Sequence, residues 1–221
     1  MGELYQSAGG AGIHSANGGM QPQFQRAAFQ TAAVDLRGAP ADEGFEVAFA
    51  GRSNAGKSSA INAICHQNRL ARTSKTPGRT QQLIFFRLDD ERRLVDLPGY
   101  GFARVSQAIK ANWQALMGRY LEQRRCLRGL VVVMDIRHPL TEFDRRMIAW
   151  GVAAQRPMLL LLTKADKLGR GAAQSTVAQV RRSVADAGAP VLVQAFSATN
   201  RLGLDEAQGQ LSQWLELPPL V

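Results

Sequence analysis

An α/β fold is predicted: one P-loop-type domain on a mostly parallel central sheet, with helices on both faces and one antiparallel edge strand. Three observations predict it. Apolar runs of strand length alternate with helix-length segments from Phe45 to Leu215, the pattern left by helical crossovers between parallel strands. The octapeptide Gly51-Arg52-Ser53-Asn54-Ala55-Gly56-Lys57-Ser58 lies between one such strand and one such helix, a glycine, four residues, then Gly-Lys-Ser. Polar clusters follow the ends of later strands, on the edge where open α/β sheets gather the loops that hold a ligand.

The elements follow in order. Phe45 to Ala50 alternates like a strand, and Ser59 to Ile64 continues like a helix to about His66. Residues 67–82 read as irregular. Strands over 83–88 and 93–96 flank the acidic turn Asp89-Asp90-Glu91 and should pair as a hairpin at the sheet edge. A helix over 107–124 and a strand over 130–135 come next. The helix over 141–155 opens on Thr141 and Asp144 at capping-box spacing, with Asp in place of Glu. A strand from Met158, a helix over 174–187, a strand from Val191 and a last helix to Leu215 complete the layout.

The octapeptide implies a phosphate site. Successive backbone N–H groups, a helix N-terminus and the Lys57 ammonium converge on one small volume, which suits the β- and γ-phosphates of a nucleotide. In Asp96-Leu97-Pro98-Gly99 an aspartate ends a strand and a glycine follows, so Asp96 can hold the water shell of Mg²⁺ and the Gly99 N–H can meet the γ-phosphate. The run ending Thr163-Lys164-Ala165-Asp166 puts a carboxylate where it can accept from guanine N1–H and N2–H₂. Adenine offers no such donor pair, and a desolvated carboxylate left unpaired costs ~1–3 kcal/mol or more. Phe196-Ser197-Ala198, at the end of another strand, can turn its backbone to guanine O6. A metabolic P-loop enzyme that passes phosphate to a small molecule fits less well, because Asp166 selects guanine and no acceptor-binding insert is present.

Five segments carry a resemblance to a family: Gly51 to Ser59; Thr73-Ser74-Lys75-Thr76-Pro77-Gly78-Arg79-Thr80-Gln81; Asp96-Leu97-Pro98-Gly99-Tyr100-Gly101-Phe102-Ala103; Met134-Asp135-Ile136-Arg137-His138-Pro139-Leu140; and Leu162 to Leu168. They closely resemble the EngB (YihA/YsxC) family of bacterial GTPases, of the translation-factor type, over residues 29–215. The resemblance implies a nucleotide site formed by Gly51 to Ser59, by Gly78, Arg79, Thr80, Gln81 and Gln82, by Asp96 to Gly99, by Thr163 to Asp166 and by Phe196 to Ala198. Lys57, Thr80 and Gly99 are implied as the groups acting on the γ-phosphate, and Ser58 and Thr80 as the protein ligands of Mg²⁺. Thr73 and Thr76 rival Thr80 on residue type alone; the resemblance decides for Thr80. It also implies a switch: with GDP, residues 67–82 and 99–105 should loosen.

Tyr100 stands where many GTPases carry a water-orienting glutamine, so unaided hydrolysis is expected to be slow. Asn54 matches an asparagine that coordinates K⁺ in related GTPases, or else it only stabilises the loop turn; K⁺ is therefore a candidate cofactor beside Mg²⁺.

Composition sets the partners. The 221 residues carry 27 Lys and Arg against 18 Asp and Glu, a formal charge of +9. Arg69, Arg72, Lys75 and Arg79 cluster in the irregular segment, and Arg119, Arg124, Arg125 and Arg128 around a helix end, which favours a polyanion and salt-dependent binding. RNA is the natural polyanion; sequence-specific DNA binding is not expected. The resemblance narrows this to ribosomal RNA or the large ribosomal subunit, with a role in subunit assembly and in cell division and septation. The alternative is a GTP-regulated switch at a protein or membrane surface of the septum. A monomer is expected. No apolar run reaches membrane-spanning length and the N-terminus has neither a basic start nor an apolar centre, so a cytoplasmic protein is expected. Residues 1–28 read as a flexible Gly-, Ala- and Gln-rich extension and 29–221 as the domain. Cys65 and Cys126 read as small core residues.

Overall fold

The computed structural model describes residues 21–72, 82–99 and 106–218. Among these residues seven strands form one sheet: β1 (Ala28–Ala33), β2 (Phe45–Gly51), β3 (Leu83–Arg87), β4 (Arg92–Asp96), β5 (Leu127–Asp135), β6 (Met158–Thr163) and β7 (Val191–Ala195), in the spatial order β1-β3-β4-β2-β5-β6-β7. Pairing is parallel from β4 through β7. The expected hairpin of β3 and β4 is present, but it does not end the sheet. β1 pairs antiparallel outside β3 and becomes the rim strand. Its sequence, Ala-Phe-Gln-Thr-Ala-Ala, is short and has Phe29 as its single large apolar side chain, which hides a strand whose partner supplies most of its order.

Among the described residues six α-helices cover both faces: α1 (Pro22–Gln25), α2 (Lys57–Ile64), α3 (Gln107–Gln123), α4 (Glu142–Ala153), α5 (Arg170–Ser183) and α6 (Leu204–Trp214). Alternation along β5 assigns the faces. Leu130, Val132 and Met134 pack with Trp113, Met117 and Tyr120 of α3, Met147 of α4 and Val180 of α5, while Val131 and Val133 pack with Ile61 and Ile64 of α2, Leu211 of α6 and Phe24 of α1. Burial of aromatic and aliphatic side chains of this size stabilises by about 1.5–3 kcal/mol each. Phe24 is fully buried, so α1 packs against the domain.

Local chemistry sets the helix ends. Thr141 caps α4 by accepting from the Asp144 amide while Asp144 accepts from the Thr141 amide, the box its spacing predicts. The helix expected over 174–187 begins earlier, at Arg170, because Gly169 serves as its N-cap, and it ends at Ser183. Both cysteines are free and buried. Burial pushes the Cys65 and Cys126 thiols up to about 12.

Candidate functional site

The loops after β2, β4, β6 and β7 all leave the sheet on one edge. Gly56 takes a left-handed conformation with φ of 94° directly before α2 begins at Lys57, a backbone that L side chains rarely adopt. Lys57 therefore stands in the first turn of the helix, with Ser58 next to it. The Lys57 ammonium is ion-paired with Asp96 at the end of β4, and both side chains are largely buried. The Leu97 amide donates to the Phe49 carbonyl at 2.9 Å, carrying the segment after β4 alongside the start of the phosphate loop. A Cβ on Gly99 would lie 3.5 Å from the Gly51 carbonyl oxygen and 3.9 Å from the Ser53 nitrogen. Gly51 to Ser58 and Asp96 to Gly99 are thus brought together as expected. Gln82 immediately precedes β3; Gly78, Arg79, Thr80 and Gln81 lie outside the described residues, as do Lys75 and Tyr100.

The tetrad after β6 reaches the same loop. Thr163, buried, donates from Oγ1 to the Ala55 carbonyl and lies 3.0 Å from the Met134 carbonyl. Lys164 Nζ donates to the Asn54 carbonyl at 2.7 Å and to Asp135 Oδ2 at 2.9 Å. Asn54 and Lys164 both have φ near +60°, 64° and 58°. Left-handed backbone at a non-glycine costs on the order of 1–2 kcal/mol, so this contact joins two strained residues.

Asp166 lies at the start of the next short turn. Ser197, fully buried at the end of β7, donates to Asp166 Oδ1 at 2.6 Å, and Lys167 pairs with Oδ2 at 3.2 Å. The Ser197 hydroxyl, with the Lys167 charge, holds the Asp166 carboxyl below the usual carboxylate range. The residue expected to act through its backbone also fixes the orientation of that carboxylate with its side chain. Phe196 is buried; its carbonyl accepts from the Ala165 amide at 3.1 Å and so ties the two loops.

Sequence reasoning gave Asp135 and Arg137 no role at this site. Arg137 forks onto Asp135 with Nε at 3.0 Å and Nη2 at 2.7 Å. With Lys164 on its other side, Asp135 is held well below the usual carboxylate range, chiefly by the Arg137 hydrogen bonds. The signal was present in Met134-Asp135-Ile136-Arg137: an aspartate at the end of a buried strand followed two residues on by arginine.

The donors near Lys57 are oxygens, from Ser58 and Asp96. Among the described residues no group of three His, Cys, Asp or Glu could form a metal cage. Such a set fits Mg²⁺, which keeps most of its ligands as water and phosphate.

One expectation is corrected. Of the second basic cluster, Arg124 is buried and bonded to Glu46 at 2.6 and 3.0 Å. Arg119, Arg125 and Arg128 stay exposed, Arg125 beside Asp42 at 3.4 Å and Arg128 over the Phe45 ring at 4.8 Å, so the correction falls on Arg124 alone. An interior carboxylate consumes Arg124, which a charge count along the sequence cannot reveal. Arg69 and Arg72 are exposed.

A family model described as "50S ribosome-binding GTPase" matches residues 46–164. A protein of Glaesserella parasuis serovar 5 (strain SH0165), described as "Probable GTP-binding protein EngB", is 52% identical over 191 residues, which cover 86% of this chain and 91% of that protein. The chain belongs to the EngB family of GTP-binding proteins. EngB-type GTPases hydrolyse GTP, so the activity at this site is GTP hydrolysis. The fold agrees: the crystal structure of a probable GTP-binding protein engB superimposes with a TM-score of 0.63 at 18% identity, covering 78% of this chain and 100% of that one. Era, in complex with MgGDPNP and nucleotides 1506–1542 of 16S ribosomal RNA, gives 0.60 at 19% identity over 81% of this chain and 59% of its own. No described helix of this EngB chain is long and apolar enough to cross a membrane.

Proposed function

We propose that this protein is a cytoplasmic GTP-gated switch that binds the large ribosomal subunit during its assembly and thereby supports cell division. The single observation that carries the reading is the match to the 50S ribosome-binding GTPase model across the phosphate loop, Asp96 to Gly99 and the start of the tetrad. In this reading Gly51 to Ser59 and Asp96 to Gly99 enclose the phosphates, Lys57 neutralises them, and Asp166 with Ser197 selects guanine. Ser58 and Thr80 offer oxygens to Mg²⁺. When bound, that ion neutralises charge between the β- and γ-phosphates. Thr80 couples GTP to the segment carrying Arg69, Arg72, Lys75 and Arg79, so an ordered, basic surface forms in the GTP state and is lost with GDP. Asn54 is the proposed K⁺ contact, tested by GTPase rates in K⁺ against Na⁺ with Asn54→Ala as control.

Cosedimentation with isolated small and large ribosomal subunits, at low and moderate salt, tests the reading. Pelleting with the large subunit in a non-hydrolysable GTP analogue but not in GDP is expected. Nucleotide-independent or absent pelleting would move the assignment to a protein- or membrane-surface switch at the septum.

A further inference from the structure

We infer that Arg52, the residue that follows β2 in the phosphate loop, closes onto Asp144 Oδ1 and fastens the loop to the start of α4, so that the two act as a positioning pair for GTP hydrolysis. The inference rests on the phosphate site proposed above. Asp144 is 2% exposed. Its Oδ2 accepts from the amide and the hydroxyl of Thr141, each at 2.8 Å, but its Oδ1 is buried and has no hydrogen-bond partner. A buried carboxylate oxygen is costly to leave unpaired, and such orphans are rare in folded proteins. Burial pushes the Asp144 carboxyl up, while the Thr141 bonds and the charges of Arg52 and Arg145 pull it down. Arg145 is poorly placed to serve Oδ1, because consecutive residues of a helix do not face each other and its Nε is bonded to the Leu140 carbonyl at 3.0 Å. Arg52 is exposed and makes no hydrogen bond or ion pair among the described residues, so its planar fork of donors is free to turn towards Oδ1.

The pair joins two parts of the site. The Gly51 carbonyl and the Ser53 nitrogen, one on each side of Arg52, are the main-chain atoms that Gly99 approaches. Trp113, which bonds the Pro98 carbonyl at 3.0 Å, packs against Phe143, the neighbour of Asp144, with ring centroids 5.5 Å apart. The first turn of α4 therefore sets both the loop that carries Arg52 and the segment that ends at Gly99, and these are the two walls proposed for the γ-phosphate. Loosening the pair changes their spacing, which bears on hydrolysis more than on GDP, a ligand without the γ-phosphate.

Single-turnover GTP hydrolysis and calorimetric GDP binding by the full chain, combined in a double-mutant cycle, test this. Arg52→Ala, and Asp144→Asn, which keeps an acceptor for Thr141, are each expected to slow hydrolysis about tenfold and to leave GDP affinity within about threefold. The double variant should be no slower than either single one. Arg52→Lys, which keeps the charge, should recover most of the rate, and Arg145→Ala should hydrolyse GTP as fast as the unsubstituted chain. The exposed Arg52 variants carry the test by themselves should Asp144→Asn fail to fold. Losses that multiply to about a hundredfold in the double variant, a full rate in either single variant, or a loss of GDP affinity as large as the loss of rate overturns the inference. Failure of the unsubstituted chain to bind GDP overturns instead the phosphate site on which it rests.

Discussion

Trp113 Nε1 donates to the Pro98 carbonyl at 3.0 Å, so the first half of α3 is bonded to the segment between Asp96 and Gly99. The indole is 2% exposed and packs against Phe143 and Trp150 with ring centroids 5.5 and 5.7 Å away. Trp113→Phe keeps most of that packing and removes the donor. The orphaned, buried Pro98 carbonyl then lowers stability by about 1–3 kcal/mol. Urea unfolding measures it, and an unchanged midpoint would show that the bond contributes nothing.

Glu46, fully buried, accepts from Arg93 Nε at 3.1 Å, Arg124 Nη2 at 2.6 Å, Arg124 Nε at 3.0 Å and Tyr120 Oη at 3.1 Å. Two arginines from β4 and the end of α3 thus meet one carboxylate at the start of β2. Glu46→Ala takes the shared carboxylate from two buried guanidinium groups, leaving Arg124 no carboxylate nearer than Asp42 at 3.8 Å and Arg93 only backbone carbonyls, and loss of one partner of such a buried pair costs about 3–5 kcal/mol. The network lies at the end of β2 opposite the phosphate loop, about 16 Å away at strand rise. GDP affinity of the folded fraction should therefore hold while the melting temperature drops; a selective loss of affinity with stability intact would contradict this.

Much of this arrangement is legible from residues alone. The phosphate loop declares itself because its glycines and lysine must stand at fixed offsets before a helix, and Asp96 and Asp166 because each ends an apolar run. Thr141 and Asp144 announce the α4 cap for the same reason: these are contacts between residues near in sequence. What stayed hidden depends on residues far apart. Arg124 reads as surface charge until β2 brings Glu46 beside it, and the β1 pairing with β3 joins residues fifty or more positions apart. Asp135 and Lys164 meet only because β5 and β6 run in parallel register, with Asp135 paired to Thr163.

That register gives Asp135 a consequence for binding. With Arg137 forked onto it, it holds Lys164 against the Asn54 carbonyl. Asp135→Asn keeps the size but removes the charge, and a hydrogen bond to a charged group contributes about 1.5–3 kcal/mol, so GDP affinity should fall roughly tenfold. Arg137→Ala should weaken binding in the same direction but less, because Lys164 keeps its partner. Equal affinity for GDP in Asp135→Asn would remove Asp135 from the site.

The two thiols, both free and buried and pushed up to about 12 by burial, should be slow to react at neutral pH, because the thiolate is the nucleophile. Ellman's reagent should find no fast thiol in the folded chain and two after urea is added. A fast single thiol would show that one of the two helix or strand ends opens readily.

Asp42 links acid stability to the turn between α3 and β5. Its Oδ1 accepts from the Cys126 amide at 2.9 Å and its Oδ2 from the Arg125 amide at 3.1 Å. Burial pushes this carboxyl up, but the two amides, the Cys126 thiol and the Arg124 charge outweigh burial and bring it down to about 2. A carboxyl depressed in the folded state contributes stability that is complete above its unfolded value near 4 and is lost as pH falls through the folded value near 2. The difference corresponds to about 2 kcal/mol. Asp42→Asn cannot take part in that titration. Between pH 5 and pH 2 the unsubstituted chain should therefore lose about 2 kcal/mol more than the variant, measured by urea unfolding at each pH. Parallel losses in the two proteins would mean that Asp42 does not carry the shift.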